Sequence, residues 1–281
     1  MYKITAKRQL NESVTLLEVE APYIAKKAHA GQFIIFRVDE FGERIPLTIA
    51  DYDREKGTIT IIFQIVGRST KMLAAKEVGD AILDFVGPLG KATPIEKYKK
   101  VCVVGGGVGC AIAYPSAKAY FNAGVDVDII AGFRSKDIVI LEDEMRAVSN
   151  RLFLTTDDGS YGIKGFVTNQ LKSLIDEGNQ YDLVIAIGPV IMMKFVAEVT
   201  RPYGIKTDVS LNPIMIDGTG MCGGCRVTVG NEIKFACVDG PEFDGHLVNY
   251  DELMKRNTIY RERETEDSNH ICRMPTEVQD A

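Results

Sequence analysis

The stretch KKVCVVGGGVGCAIAYPSAKAYFNAG, residues 99–124, decides the architecture of this chain. A continuous apolar run, VCVV, leads into Gly105, Gly106, Gly107 and Gly109, and a segment with helical spacing follows. Glycines at a strand-to-helix turn let the backbone close on a pyrophosphate. The helix that follows offers free N–H groups and the positive end of its dipole. Gly105, Gly106, Gly107, Val108 and Gly109 are therefore read as a dinucleotide cradle. The third glycine of a G-x-G-x-x-G pattern falls on Cys110, so the motif is incomplete and a tight strand-to-helix turn is the alternative.

Downstream the same grain continues in VDVDIIAGF (125–133) and YDLVIAIGPVIMMKFVAEVT (181–200). Continuous apolar strands alternating with helical patterns predict a Rossmann-like parallel sheet covered on both faces. Upstream the texture differs. SVTLLEVEAP, GQFIIFRVD, TITIIFQIV and AILDFVGPLG are short alternating segments split by Gly, Asp and Pro, which predicts a small antiparallel barrel. The fold class is thus α/β plus β, with expected domains at 1–97 (barrel), 98–210 (nucleotide-binding), 211–250 (a glycine and cysteine module) and 251–281 (a charged helix and tail).

Composition sets the outer bounds. A chain of 281 residues with 46% hydrophobic and 26% charged residues has room for about two domains with ordinary cores. A net charge of -6 argues against nucleic acid as the main partner. The N-terminus alternates like strands instead of showing a signal peptide, and no apolar run is long enough to span a membrane. A cytoplasmic location follows, with the six cysteines as thiols or metal ligands.

The module around DGTGMCGGCRVTV (217–229) carries the second chemical motif. Cys222 and Cys225 form C-x2-C, and Cys237 follows after an interval of eleven residues. Three thiolates in one short module imply a metal or cluster. In a plant-type C-x4-C-x2-C pattern the first position is Asp217, whose carboxylate has the charge of a thiolate and can bind iron through oxygen. The glycines between supply turns and inward-facing amides. Two alternatives stay open: a zinc site, and an Asp-Gly turn with Cys272 as the fourth ligand.

Phosphate contacts are also expected in the barrel segment. Gly67, Ser69 and Thr70 precede a helix-like stretch beside Arg68 and Lys71, and hydroxyls, amides and cations at a helix start suit a diphosphate. Simple helix capping is the alternative for Ser69 and Thr70. In ERIPLTIAD, Arg44, Pro46, Leu47 and Thr48 lie on a strand able to face a planar ring system.

The order RIPLT, GRST, GPLGKA, GGGVG and IGPVIMM resembles the ferredoxin–NADP reductase-like flavoproteins. That resemblance implies FAD on the barrel and a nicotinamide nucleotide brought onto it, with Gly188 and Pro189 at its border. The chain departs from the family twice: the usual arginine position is Ile45, with Arg44 one residue early, and the usual cysteine before Gly-Pro is Ile187. With the cysteine module included, the chain resembles the electron-transfer subunit of dihydroorotate dehydrogenase, where all four ligands are cysteines. With Asp217 in the first slot it is similar to the small subunit of NADH-dependent reduced ferredoxin:NADP oxidoreductase, also called sulfide dehydrogenase subunit beta.

This last resemblance implies FAD, a [2Fe–2S] cluster held by Asp217, Cys222, Cys225 and Cys237, and NAD(H). It implies a larger partner carrying flavin and [4Fe–4S], which reaches ferredoxin and NADP(H) through electron bifurcation. Arg134 and Ser135 could instead read a 2′-phosphate and favour NADP(H), or lie in a solvated loop. Other functions to weigh are a self-sufficient NAD(P)H-dependent reductase of ferredoxin, sulfide or polysulfide, and a zinc-containing redox sensor. His29, His246 and His270 show no ligand spacing, and Met192 and Met193 are expected in the core.

Overall fold

The computed structural model describes residues 1–261. The expectations for His270, Cys272 and the end of the tail fall outside them. Strands β1 (Tyr2–Asn11) and β2 (Val14–Glu20), helix α1 (Pro22–Ala25), strands β3 (Phe33–Arg37), β4 (Ile45–Asp53) and β5 (Thr58–Gln64), helix α2 (Arg68–Ala74), and strands β6 (Ala81–Ile82) and β7 (Asp84–Leu89) build the first unit. Its strands are antiparallel in the order β6-β1-β2-β5-β4-β3-β7. Only Leu83 separates β6 from β7, yet they occupy opposite ends of that order, so the sheet curls into a nearly closed barrel. The alternation seen in the sequence turns Ile4, Leu17, Phe36, Ile61 and Phe85 into its core.

The second unit begins with β8 (Lys100–Gly106), α3 (Gly109–Asn122), β9 (Asp126–Phe133), α4 (Glu142–Ala147), β10 (Arg151–Thr156) and β11 (Ile163–Lys164). It continues through α5 (Val167–Asp176), β12 (Leu183–Ile187), α6 (Val190–Thr200) and β13 (Lys206–Ser210). After the cysteine loop come the hairpin β14 (Arg226–Val229) and β15 (Glu232–Phe235), α7 (Ala236–Asp239), β16 (Glu242–Asp244) and α8 (Tyr250–Arg256). The sheet order is β11-β10-β9-β8-β12-β13-β16, parallel except for β16, which returns from the cysteine module and pairs antiparallel with β13. The strictly parallel expectation therefore misses one short edge strand. Strands 5 to 8 residues long and buried on both faces account for the unbroken apolar runs VCVV and LVIAI.

The units share one core. Val14, Ala50 and Ile62 from the barrel join Val103, Ala113 and Ala117 from β8 and α3, and Lys118 on α3 pairs with Asp51 on β4 at 2.6 Å. Among the described residues, no helix is long and apolar enough to cross a membrane.

A polar seam ties the cysteine module to both units. The amide of Thr93 donates to Ala30 O at 2.8 Å, Lys91 N to Gly240 O at 2.7 Å, and Leu211 N to Pro241 O at 2.9 Å. Within the seam the Thr93 hydroxyl donates to Glu242 Oε1 at 2.8 Å and lies 3.3 Å from Ser116 Oγ. Burial, with a smaller push from Asp208, raises the Glu242 carboxyl from its ordinary 4.5 to about 7. A carboxyl raised on folding leaves stability intact below pH 4.5 and removes it as pH climbs through about 7. Glu242→Gln keeps the shape without the charge. It is expected to add about 1–2 kcal/mol at pH 8 and little at pH 4, read as the difference in thermal unfolding at the two values.

Candidate functional site

Strand order reverses between β8 and β12, and a crevice opens there at the carboxyl ends of the parallel strands. The resulting cleft measures about 1150 Å³ and reaches from the barrel to the nucleotide-binding sheet. Helices α3, α5 and α6 all begin at its wall, and none has a side-chain cap on its first turn. Three uncapped helix starts give the cleft a positive backbone field in an otherwise acidic chain. Anionic ligands are what such a field holds.

The glycine turn is shaped by close backbone approach. Gly107 adopts φ +57°, which side chains resist, and a Cβ on Gly109 would sit 2.5 Å from Ile187 O and 2.8 Å from Gly188 Cα. The turn therefore packs directly on the end of β12, its Gly107 amide donates to Gly132 O at 2.8 Å, and Val108 and Gly109 at the start of α3 line the cleft. Another observation fits a bound nucleotide: Thr155 Oγ1, in a residue only 1% exposed, is buried with no hydrogen-bond partner in the same wall.

The cleft brings most of the expected residues together. Pro46, Leu47 and Thr48 form its barrel side, Gly106 to Gly109 its turn, and Gly188 and Pro189 the opposite lip, with Arg134 and Ser135 at the far end. Gly105 lies one residue inside β8 and does not line it. Neither do Arg44 or Gly67 to Thr70. The Thr70 hydroxyl accepts from Gly67 N and donates to Gly67 O, both at 3.0 Å, so it caps α2, and Ser69 donates to Glu43 at 3.3 Å. Arg44 is close enough to Asp217 to stabilise its carboxylate. Met193 is fully buried as expected, whereas Met192 lines the cleft with its sulfur against the Gly106 turn. His246 bonds to Thr200 Oγ1 at 3.0 Å.

Sequence reasoning missed Asp157 and Phe166, which also line the cleft. The signal was present, because Asp157 directly follows β10, and strand carboxyl ends form such sites.

The cysteine loop closes over the barrel beside this cleft. Gly218 packs on Ile35 and Leu89, and Phe33, Ile35, Met215, Cys225 and Cys237 share a small core. The Sγ atoms of Cys225 and Cys237 are 3.2 Å apart, and the Cys237 amide donates to Cys225 Sγ at 3.4 Å. Cys222 is exposed, and the Gly224 amide donates to its sulfur at 3.4 Å. Amides of Gly224, Asp217 and Ile216 hold the Cys222 thiol below its ordinary range. The Asp217 carboxylate accepts from the hydroxyl and amide of Thr219, which, with a weaker contribution from Arg44, hold it below the usual range.

Among the described residues, no three His, Cys, Asp or Glu side chains gather closely enough for one metal ion. The donors fall instead into a buried thiol pair and an exposed thiol near a carboxylate in the loop. That division suits a two-iron cluster, in which each iron takes two protein ligands, and sulfur-facing amides are the usual support for such a group.

Comparison with known proteins adds the following. Residues 212–249 match the iron-sulfur cluster binding domain of dihydroorotate dehydrogenase B. The chain is 50% identical over 262 residues to a dihydroorotate dehydrogenase B (NAD(+)) electron transfer subunit homolog of Thermotoga maritima, covering 93% of this chain and 92% of the relative. It is 32% identical over 244 residues to the electron transfer subunit itself from Fusobacterium nucleatum, covering 84% and 92%. Among solved structures it is similar to a chain of NADH-dependent reduced ferredoxin-NADP oxidoreductase, a structure bearing on flavin-based electron bifurcation. The TM-score is 0.92 at 46% identity, covering 97% of this chain and 98% of that one. A ferredoxin reductase of carbazole 1,9a-dioxygenase shares the fold at TM-score 0.62 and 18% identity, over 73% and 65%.

Proposed function

The chain belongs to the family of dihydroorotate dehydrogenase B electron transfer subunits and their homologues, and from that premise we propose that it is the small subunit of an electron-bifurcating, NADH-dependent ferredoxin:NADP oxidoreductase. The observation that carries this reading is continuity: one cleft joins the barrel to the glycine turn, and Pro213 and Met215 of the cysteine module stand in its wall. Bound there, FAD would exchange hydride with NAD(H), and a [2Fe–2S] cluster would carry single electrons outward.

The protein's part is to bind, orient and shield. Pro46, Leu47 and Thr48 line the barrel side of the cleft and would hold the flavin ring. The Gly107 amide donates to Gly132 O at 2.8 Å, which fixes the turn, so the amides of Val108 and Gly109 would receive the pyrophosphate of NAD(H), with Gly106 and Gly107 letting it approach the backbone and Gly105 setting the strand end behind them. Gly188 and Pro189 leave room for the nicotinamide. Asp157 lines the same end of the cleft as Arg134, and a carboxylate there would accept from a ribose 2′-hydroxyl and repel a 2′-phosphate, favouring NAD(H) over NADP(H). Gly67, Arg68, Ser69 and Thr70 are assigned to the flavin diphosphate on the family resemblance. Arg44, near Asp217, is assigned to the cluster side.

Cys225 and Cys237 would hold one iron, and Asp217 with Cys222 the other. Asp217→Cys is expected to keep the cluster with a shifted potential, whereas Asp217→Ala is expected to lose most of it. Iron content and visible absorption of the purified variants decide; full retention in the alanine variant removes Asp217 from the ligand set. The aspartate also separates this chain from the all-cysteine pattern of dihydroorotate dehydrogenase subunits.

The larger partner, carrying flavin and [4Fe–4S], is assigned to the cluster face, where Ile216, Met221 and Val238 are exposed near Cys222. The free thiols of Cys222, Cys225 and Cys237 fit a reducing cytoplasm. The test is reconstitution. NADH oxidation with an artificial acceptor by the isolated chain, and ferredoxin-linked turnover only after the larger subunit is added, is the expected pattern. Full ferredoxin-linked turnover by the isolated chain would establish a self-sufficient reductase instead.

A further inference from the structure

The charged segment that ends the described residues has a specific place in the fold. Helix α8 is anchored by Tyr250 and Leu253, which are buried against Val227 and Val229 of the cysteine module. Asn249 caps it by accepting from Glu252 N at 3.1 Å. The last residue of the helix, Arg256, is thereby held over the cysteine loop. Its Nη2 donates to Gly224 O at 3.2 Å, and the neighbouring Asn257 donates to Asn212 O at 3.3 Å, at the loop's entry.

Gly224 occupies the centre of the ligand set. Its amide donates to Cys222 Sγ at 3.4 Å, its carbonyl receives Arg256, and Cys225 follows directly. The guanidinium thus lies on the one backbone segment that connects the two thiols of C-x2-C. Arg256 is partly buried, which limits screening of its charge. Arg44 differs, because its field acts on Asp217 and is offset by that carboxylate. Arg226, next to Cys225, is exposed.

We propose that Arg256 is a positioning residue that raises the reduction potential of the cluster by fixing a positive charge on the Gly224 carbonyl. This role rests on the cluster assignment above. Reduction adds one negative charge to the cluster, so a nearby fixed cation favours the reduced form. The same contact orients the loop whose amides face the sulfur.

The test is a redox titration of the full chain, reconstituted with iron and sulfide and followed by electron paramagnetic resonance, for wild type, Arg256→Gln and Arg256→Lys. Visible absorption reports cluster content separately. Arg256→Gln is expected to keep the cluster and shift its one-electron equilibrium about tenfold toward the oxidised form, about 59 mV more negative. Arg256→Lys is expected to stay near the wild-type potential. An unchanged potential in the glutamine variant, or an equal fall in the lysine variant, overturns the proposal. If Arg256→Gln loads no cluster, the lysine variant decides alone: a wild-type potential upholds the proposal, and a shift of about tenfold toward the oxidised form overturns it. A wild-type chain that holds no cluster at all overturns the cluster assignment itself and the role of Arg256 with it.

Discussion

Gly109→Val is expected to abolish NAD(H) binding while leaving flavin on the barrel. The first side-chain carbon at this position would lie 2.5 Å from Ile187 O and 2.8 Å from Gly188 Cα, and both obstacles are backbone. Relief requires the turn to move off the end of β12. That movement separates the amides at the start of α3 from Gly188 and Pro189, the two sides between which the nucleotide is placed. The strain costs the fold about 1–3 kcal/mol, and the dissociation constant for NADH is expected to rise about 100-fold or more, equivalent to about 2.7 kcal/mol. Gly107→Ala is the control. Nothing lies within 4 Å of its new carbon, so only the unfavourable φ of +57° is charged against it, at about 1–2 kcal/mol. Calorimetric titration with NADH separates the two. Near-normal binding by the valine variant would place the dinucleotide elsewhere.

Cys237→Ser is expected to remove the cluster and spare the flavin. Cys237 is buried at the start of α7, with its sulfur 3.2 Å from that of Cys225. Losing one of the two thiols assigned to the same iron leaves that iron with a single strong protein ligand. The hydroxyl oxygen is shorter-reaching and far less acidic than a thiol, so it replaces the ligand poorly. Visible absorption and iron content are expected to fall to a small fraction of wild type, with FAD content unchanged. Cys110→Ala supplies the contrast. That thiol, on the first turn of α3, is sealed in the core, where burial pushes it up to about 12, and its removal should leave both cofactors in place. Wild-type iron content in the serine variant would exclude Cys237 as a ligand.

These expectations show which parts of the molecule can be read from residues in order. The β8-turn-α3 unit was legible because a buried parallel strand leaves an unbroken apolar run and glycines mark the strand-to-helix turn that follows it. The barrel was legible from alternation, and the cysteine loop from spacing. Strand β16 was not, since three residues carry no periodicity and its pairing with β13 is decided by where the cysteine module returns the chain. Asp157, Phe166 and Met192 reach the cleft from separate elements, so their convergence is a property of sheet order. Met192 is apolar and helical in pattern, which is equally the signature of core. Arg256 sits in a run of charges that reads as solvent-facing, and only the anchoring of α8 directs it onto Gly224.

The most direct test of the account is whether electrons from NADH reach a cluster within this one chain. The chain would be purified without oxygen, reconstituted with FAD, iron and sulfide, treated with NADH and examined by low-temperature electron paramagnetic resonance. The account expects a [2Fe–2S] signal to appear with NADH alone, at an intensity close to that produced by a strong chemical reductant. Absence of the signal with both reductants would mean that the three thiols hold zinc or no metal, and the electron-transfer assignment would fall.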